Sequence, residues 1–152
     1  MSSLDDLYQQ VIFDHSRERE GFGLLEEADG ESHQINPTCG DEIRLQVTRE
    51  GEEITGVHWE GRGCSISQAS ASVLTGLVTG ATTGQAAELA EVFRELMHAR
   101  HEPLAEEKLD RLGDGAAFAG VARYPARVKC AMLGWVALLD ALAHTQLGGD
   151  RD

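Results

Sequence analysis

Between residues 43 and 66 the hydrophobic period of this chain changes from two to about 3.6, and that change restricts the fold more than any other feature of the sequence. Ile43, Leu45 and Val47 alternate with polar residues, Glu50-Gly51-Glu52 supplies a turn, and residues 54 to 59 read as a returning strand. This is the pattern of a hairpin with one buried face. Residues 32–36, ahead of the turn at Pro37, add a third strand, and a sheet this small needs helices to cover it. From Ile66 onward the spacing is helical, through Ala69, Val73 and Leu77. Thr83 opens a further helix with Leu89, Val92, Phe93, Leu96 and Met97 on one face, and residues 106–112 form a short one. Residues 113–120 loosen the chain. A last helix starts at Tyr124-Pro125, with Val128, Met132, Trp135, Leu138, Leu139 and Leu142 as its buried stripe.

At the other end, Ser3 and Asp6 read as a capping box, and Leu4, Leu7, Tyr8, Val11 and Ile12 follow helical spacing. Residues 17–32 mix charge with glycine and read as an acidic loop. Strands grouped together and followed by helices predict an α+β fold: a small antiparallel three-stranded sheet packed against several helices, in a single domain over residues 1–152. At 152 residues the chain is long enough for one ordinary core.

Charge excludes one class of partner. With 26 Asp plus Glu against 13 Lys plus Arg, the formal net charge is −13 and no stretch gathers a basic footprint, so nucleic acid is not expected to bind. The opening MSSLDDLYQQ lacks the charged and apolar regions of a secretion signal, and no run reaches the roughly 20 apolar residues of a membrane span. A cytoplasmic protein is expected. In that reducing compartment three cysteines, Cys39, Cys64 and Cys130, are poor disulfide candidates, and thiol or metal chemistry becomes the question.

Cys39 sits between Pro37 and Gly40, and Cys64 follows Gly61-Arg62-Gly63, so both thiols fall in turns. Cys64 also falls at a helix N-terminus, where unpaired backbone N–H groups favour a thiolate. Asp41 reaches the same point as Cys39 because Gly40 permits a tight turn. Cys39, Asp41, Cys64 and Cys130 therefore make one possible tetrahedral set, suited to Zn²⁺ or to an iron-sulfur cluster. Each cysteine comes from a different element, unlike the paired spacing of a zinc ribbon. A carboxylate ligand is more exchangeable than a fourth thiolate, which makes the set reactive in prospect. A site that only fixes the fold remains a further reading.

Four stretches, LYQQVIFDHSRERE, NPTCGDEI, GRGCSISQASASVLTGLVTG and ARYPARVKCAMLGWVALLDAL, together resemble the SufU branch of the IscU/NifU iron-sulfur assembly family over essentially the whole chain. IscU-type proteins carry histidine directly before the third cysteine, where this chain has Lys129, and the segment between Cys64 and Cys130 looks longer, as in SufU-type proteins. The resemblance implies a SufE/IscU-like fold and a zinc-dependent sulfurtransferase. In that reading Cys39, Asp41, Cys64 and Cys130 hold zinc, and Cys39 accepts persulfide sulfur from a SufS-type cysteine desulfurase. Arg127 matches a family arginine beside the site, and a downstream iron-sulfur scaffold is the next partner. The alternative it allows is a scaffold on which a cluster is assembled and passed on. The loop after Asp14-His15 departs from the family pattern, so no family role carries over to it, and His15, His33, His58, His98, His101 and His144 are read as surface or capping residues.

Overall fold

In the computed structural model, residues 3–38, 40–99 and 102–149 are described. The hairpin forms as its alternation demands. Strand β2 (Asp41–Glu50) pairs antiparallel with β3 (Glu53–Arg62), and β1 (Gly30–Asn36) pairs antiparallel with β2 on its other side. The sheet order is β1-β2-β3. Leu45, Val47, Ile54, Val57 and Trp59 are all buried on the covered face.

Around the sheet lie α1 (Ser3–Glu18), α2 (Ser65–Val78), α3 (Thr83–Ala99), α4 (Glu106–Leu112), a 3₁₀ segment (Gly113–Arg123) and the 25-residue α5 (Pro125–Gly149). The first-turn side chains of α1, including the Ser3 cap, lie outside the described ones. Helix α5 crosses β1 and β2 and also meets α2, while α2 meets β3. Because α5 is covered on both sides, its small residues Ala131, Gly134, Ala137 and Ala141 are buried along with Trp135 and Leu138. That arrangement makes the expected stripe too simple: Leu142 is buried, but Leu139 is 42% exposed. One residue on from Leu138 lies about 100° around the helix, which takes Leu139 past the covered sector.

Two other expectations are corrected or refined. Residues 113–120 do not loosen the chain. They form most of the 3₁₀ segment, with Gly115, Ala116, Ala117 and Phe118 buried. Small residues let a tight helix sit deep, and Phe118 meets Phe93 edge-on at 5.5 Å, while Phe93 stacks on Trp135 at 5.1 Å. The acidic loop is irregular, as its composition predicts, yet it is fastened at both ends. Trp59 donates its indole N–H to the Glu20 carbonyl at 2.8 Å, and Phe22 bridges to β3 beside Trp59. The buried Gln46 amide both accepts from Leu25 N–H and donates to its carbonyl. The loop thereby covers part of the outer edge of β3. No described helix is long and apolar enough to cross a membrane.

Candidate metal centre

Three chain segments meet at one corner. Asn36, the last residue of β1, pairs with Asp41, the first of β2, and the turn between them is closed by the Gly40 N–H donating to the Asn36 carbonyl at 2.8 Å. Cys39, expected in that turn as ligand and acceptor, lies outside the described residues. At the far end of β3 the chain passes Gly63 (φ +149°) and enters α2 with Cys64 as its N-cap. A β-carbon on Gly63 would overlap the Asp41 carboxylate, so only glycine lets this turn close over that side chain. Cys130 comes from the second turn of α5, where its thiol donates to the Ala126 carbonyl at 3.7 Å.

The Asp41 carboxylate fixes the corner. Although 1% exposed, it accepts the Cys64 backbone N–H at 3.1 Å through Oδ1 and the Cys64 thiol at 3.5 Å through Oδ2. The ligand atoms of Asp41, Cys64 and Cys130 all lie within 4.8 Å of one another. Donors about 3.5–4 Å apart surround a tetrahedral zinc whose bonds are ~2.0–2.3 Å, so the spacing fits after small side-chain adjustments. Two soft sulfurs and one oxygen also suit that ion chemically. The three donors differ in access: Asp41 and Cys130 are buried, and Cys64 is exposed. The centre therefore faces solvent on its Cys64 side.

Arg127 stands one helical turn before Cys130. It is exposed and lines a groove together with Ser65, the residue after Cys64. It is not one of the three clustered donors. No histidine joins the cluster among the described residues; His101 lies outside them. His15 is more than a surface residue: Nδ1 meets the Ser72 hydroxyl and Nε2 meets Asp114, each at 2.8 Å, joining α1 to α2 and to the 3₁₀ segment. Sequence reading also passed over Gly63 as a spacer for Asp41. The GRG triplet directly before Cys64 was the available signal.

A three-stranded sheet under helices, with two thiols and a carboxylate converging from a strand start and two helix starts, defines a class of small α+β proteins with a candidate metal site. Comparison narrows the class. A family model described as the NifU-like N-terminal domain matches residues 7–131, and the chain belongs to that family. It is 38% identical over 147 residues to the zinc-dependent sulfurtransferase SufU of Bacillus subtilis, covering 97% of both chains. It is also 38% identical over 146 residues to the iron-sulfur cluster assembly scaffold protein IscU of Streptococcus pyogenes, covering 95% of this chain and 88% of that one. Among solved structures it resembles the iron-sulfur cluster assembly scaffold SufU of Fervidobacterium islandicum, with a TM-score of 0.79 and 34% identity over 88% of this chain and 94% of that one.

Proposed function

We propose that this protein is a zinc-dependent sulfurtransferase that accepts persulfide sulfur from a SufS-type cysteine desulfurase for iron-sulfur cluster assembly. The observation that carries the reading is the convergence of Asp41, Cys64 and Cys130 within 4.8 Å of one another, with Cys64 exposed. Similarity to SufU over 97% of the chain supports it. Cys39, Asp41, Cys64 and Cys130 would hold Zn²⁺. When bound, the ion lowers thiol pKa and keeps the thiolates from oxidation until a partner docks.

In the transfer step the Cys39 thiolate attacks the outer sulfur of the desulfurase persulfide. A new S–S bond forms on Cys39, the old one breaks, and its electron pair leaves with the desulfurase thiolate, so no external oxidant or reductant is needed. The buried Asp41 carboxylate accepts the Cys64 backbone N–H and so holds that ligand's backbone in place. Arg127, one helical turn before Cys130, would steady the negative charge of the centre.

The purified protein is expected to carry about one zinc per chain and to stimulate a desulfurase. Cys39→Ala is expected to abolish stimulation while circular dichroism stays unchanged. Stimulation by that variant at the wild-type level would remove Cys39 from the acceptor role.

Similarity to an IscU of equal identity favours a second reading, a scaffold for cluster assembly on the same thiols. Against it, the exposed Lys129 stands where the IscU-type pattern has histidine, and an ammonium does not ligate iron. Anaerobic reconstitution and transfer of an intact cluster to an apo-protein would decide for the scaffold.

A further inference from the structure

One groove carries a charge opposite to that of the chain around it. Its volume is about 640 Å³, and its walls come from α1, the first residues of α2, the 3₁₀ segment and the start of α5. Tyr8, Ile12, Phe13, Ile66, Val121 and Tyr124 form the apolar lining. Arg123 and Arg127 supply its charge, and among the described residues no carboxylate lines it, in a chain with 26 acidic residues against 13 Lys plus Arg. Among the described residues neither arginine has an ion pair, nor do Arg17, Arg19, Arg49 and Lys129, whereas Arg44, Arg62, Arg94, Lys108 and Arg111 do. A third guanidinium, Arg17, sits 5.5 Å above the Phe13 ring.

The exposed rings and the charge of the groove indicate the chemistry of its occupant. Phe13 is 52% and Tyr124 57% exposed. Both rings line the groove, so an apolar occupant would cover them, and the two guanidiniums beside them in an acidic chain favour one that also carries carboxylates. Ser65 follows Cys64 directly and Arg127 precedes Cys130 by one turn, so the groove runs up to the thiols.

We propose that this groove docks a segment of the sulfur-donating partner in which apolar side chains are flanked by Asp or Glu. The proposal rests on the sulfur-transfer reading above and adds where the donor is held and by what chemistry. Apolar side chains enter between Ile12, Ile66 and Val121, and carboxylates meet Arg123 and Arg127. Docking here delivers the persulfide to the exposed side of the metal centre.

The test is a titration of a SufS-type desulfurase with the full-length zinc-loaded protein, reading half-saturating concentration and maximal stimulation separately. Arg123→Glu and Phe13→Glu are expected to raise half-saturation about tenfold or more with zinc content and maximal stimulation kept. Arg94→Ala on α3 is expected to change neither. For the wild type, half-saturation should rise with salt. Unchanged half-saturation in both groove variants, with wild type active, overturns the docking proposal and leaves sulfur transfer standing. No stimulation by zinc-loaded wild type overturns the sulfur-transfer reading and the docking proposal that rests on it. If the variants keep their desulfurase half-saturation but lose sulfur delivery to a carboxylate-bearing small thiol, glutathione being the probe, the groove serves a small molecule and the proposal is wrong.

Discussion

The helical region around α3 and α4 and the corner around Cys64 handle charge and apolar surface in opposite ways. On α3 and α4 every Lys and Arg has a carboxylate partner: Arg94 with Glu91, Lys108 with Glu95 at 2.6 Å, Arg111 with Glu88 at 3.2 Å. Beneath them Phe93 is fully buried against Phe118 and Trp135. At the Cys64 corner Arg123 and Arg127 line an open groove, and the rings of Phe13 and Tyr124 stand in solvent. Lack of an ion pair is not what sets the two arginines apart, since Arg17, Arg19, Arg49 and Lys129 have none either among the described residues. Their place beside half-exposed rings and an exposed thiol is what marks surface suited to a partner.

The comparison predicts separable losses. Trp135→Ala is expected to have the largest effect, lowering unfolding free energy by about 3–5 kcal/mol in denaturant titration while the folded fraction keeps its zinc. Zinc lost in step with the Trp135 defect would mean that the two regions are one cooperative unit. Asp41→Ala should act the other way, weakening zinc by about 100-fold or more in chelator competition. An unchanged zinc affinity would take the carboxylate out of the centre. Gly63→Ala changes no proposed ligand residue but pushes the Asp41 carboxylate aside, and a fall in zinc affinity of roughly tenfold is expected.

Smaller effects sharpen the contrast. Removing one cation of the paired region, by Lys108→Ala, should cost no more than ~1 kcal/mol, because both partners are partly exposed and screened. The least change concerns Glu31 on the outer sheet face. Hydrogen bonding from Arg44, then from Gln46, holds its carboxyl below the ordinary glutamate value of 4.5. Its folded pKa is depressed, so its stabilising contribution is complete above the unfolded value and disappears as pH falls through the folded one. Carboxyl chemical shifts should show a Glu31 midpoint that moves back up in Arg44→Ala.

Much of this architecture was legible from residues alone. Alternation at Ile43, Leu45 and Val47 located the hairpin because a buried face makes a one-residue slip costly. Cys64 was expected at a helix start and caps α2. The buried place of residues 113–120 was not legible, since glycine and alanine give the same local signal in a loose turn as in a deep 3₁₀ segment. Leu139 was misassigned to the buried stripe because α5 is covered by neighbours that its own period does not reveal. The metal centre was legible as a list of residue types and not as a place. Gly63, closing against Asp41, shows how two of the three distant segments are brought so close.

The sequence by itself determined the order of strands and helices, the acidic surface and the scarcity of thiols, because these depend on period, composition and local turn chemistry. Tertiary structure decided that Asp41, Cys64 and Cys130 share one corner, that Cys64 alone of the three is exposed, and that two unpaired arginines border an apolar groove beside them. These properties arise from contacts between residues tens of positions apart. Local sequence carries no information on which such residues meet until the apolar faces of the sheet and of α2 and α5 are buried together.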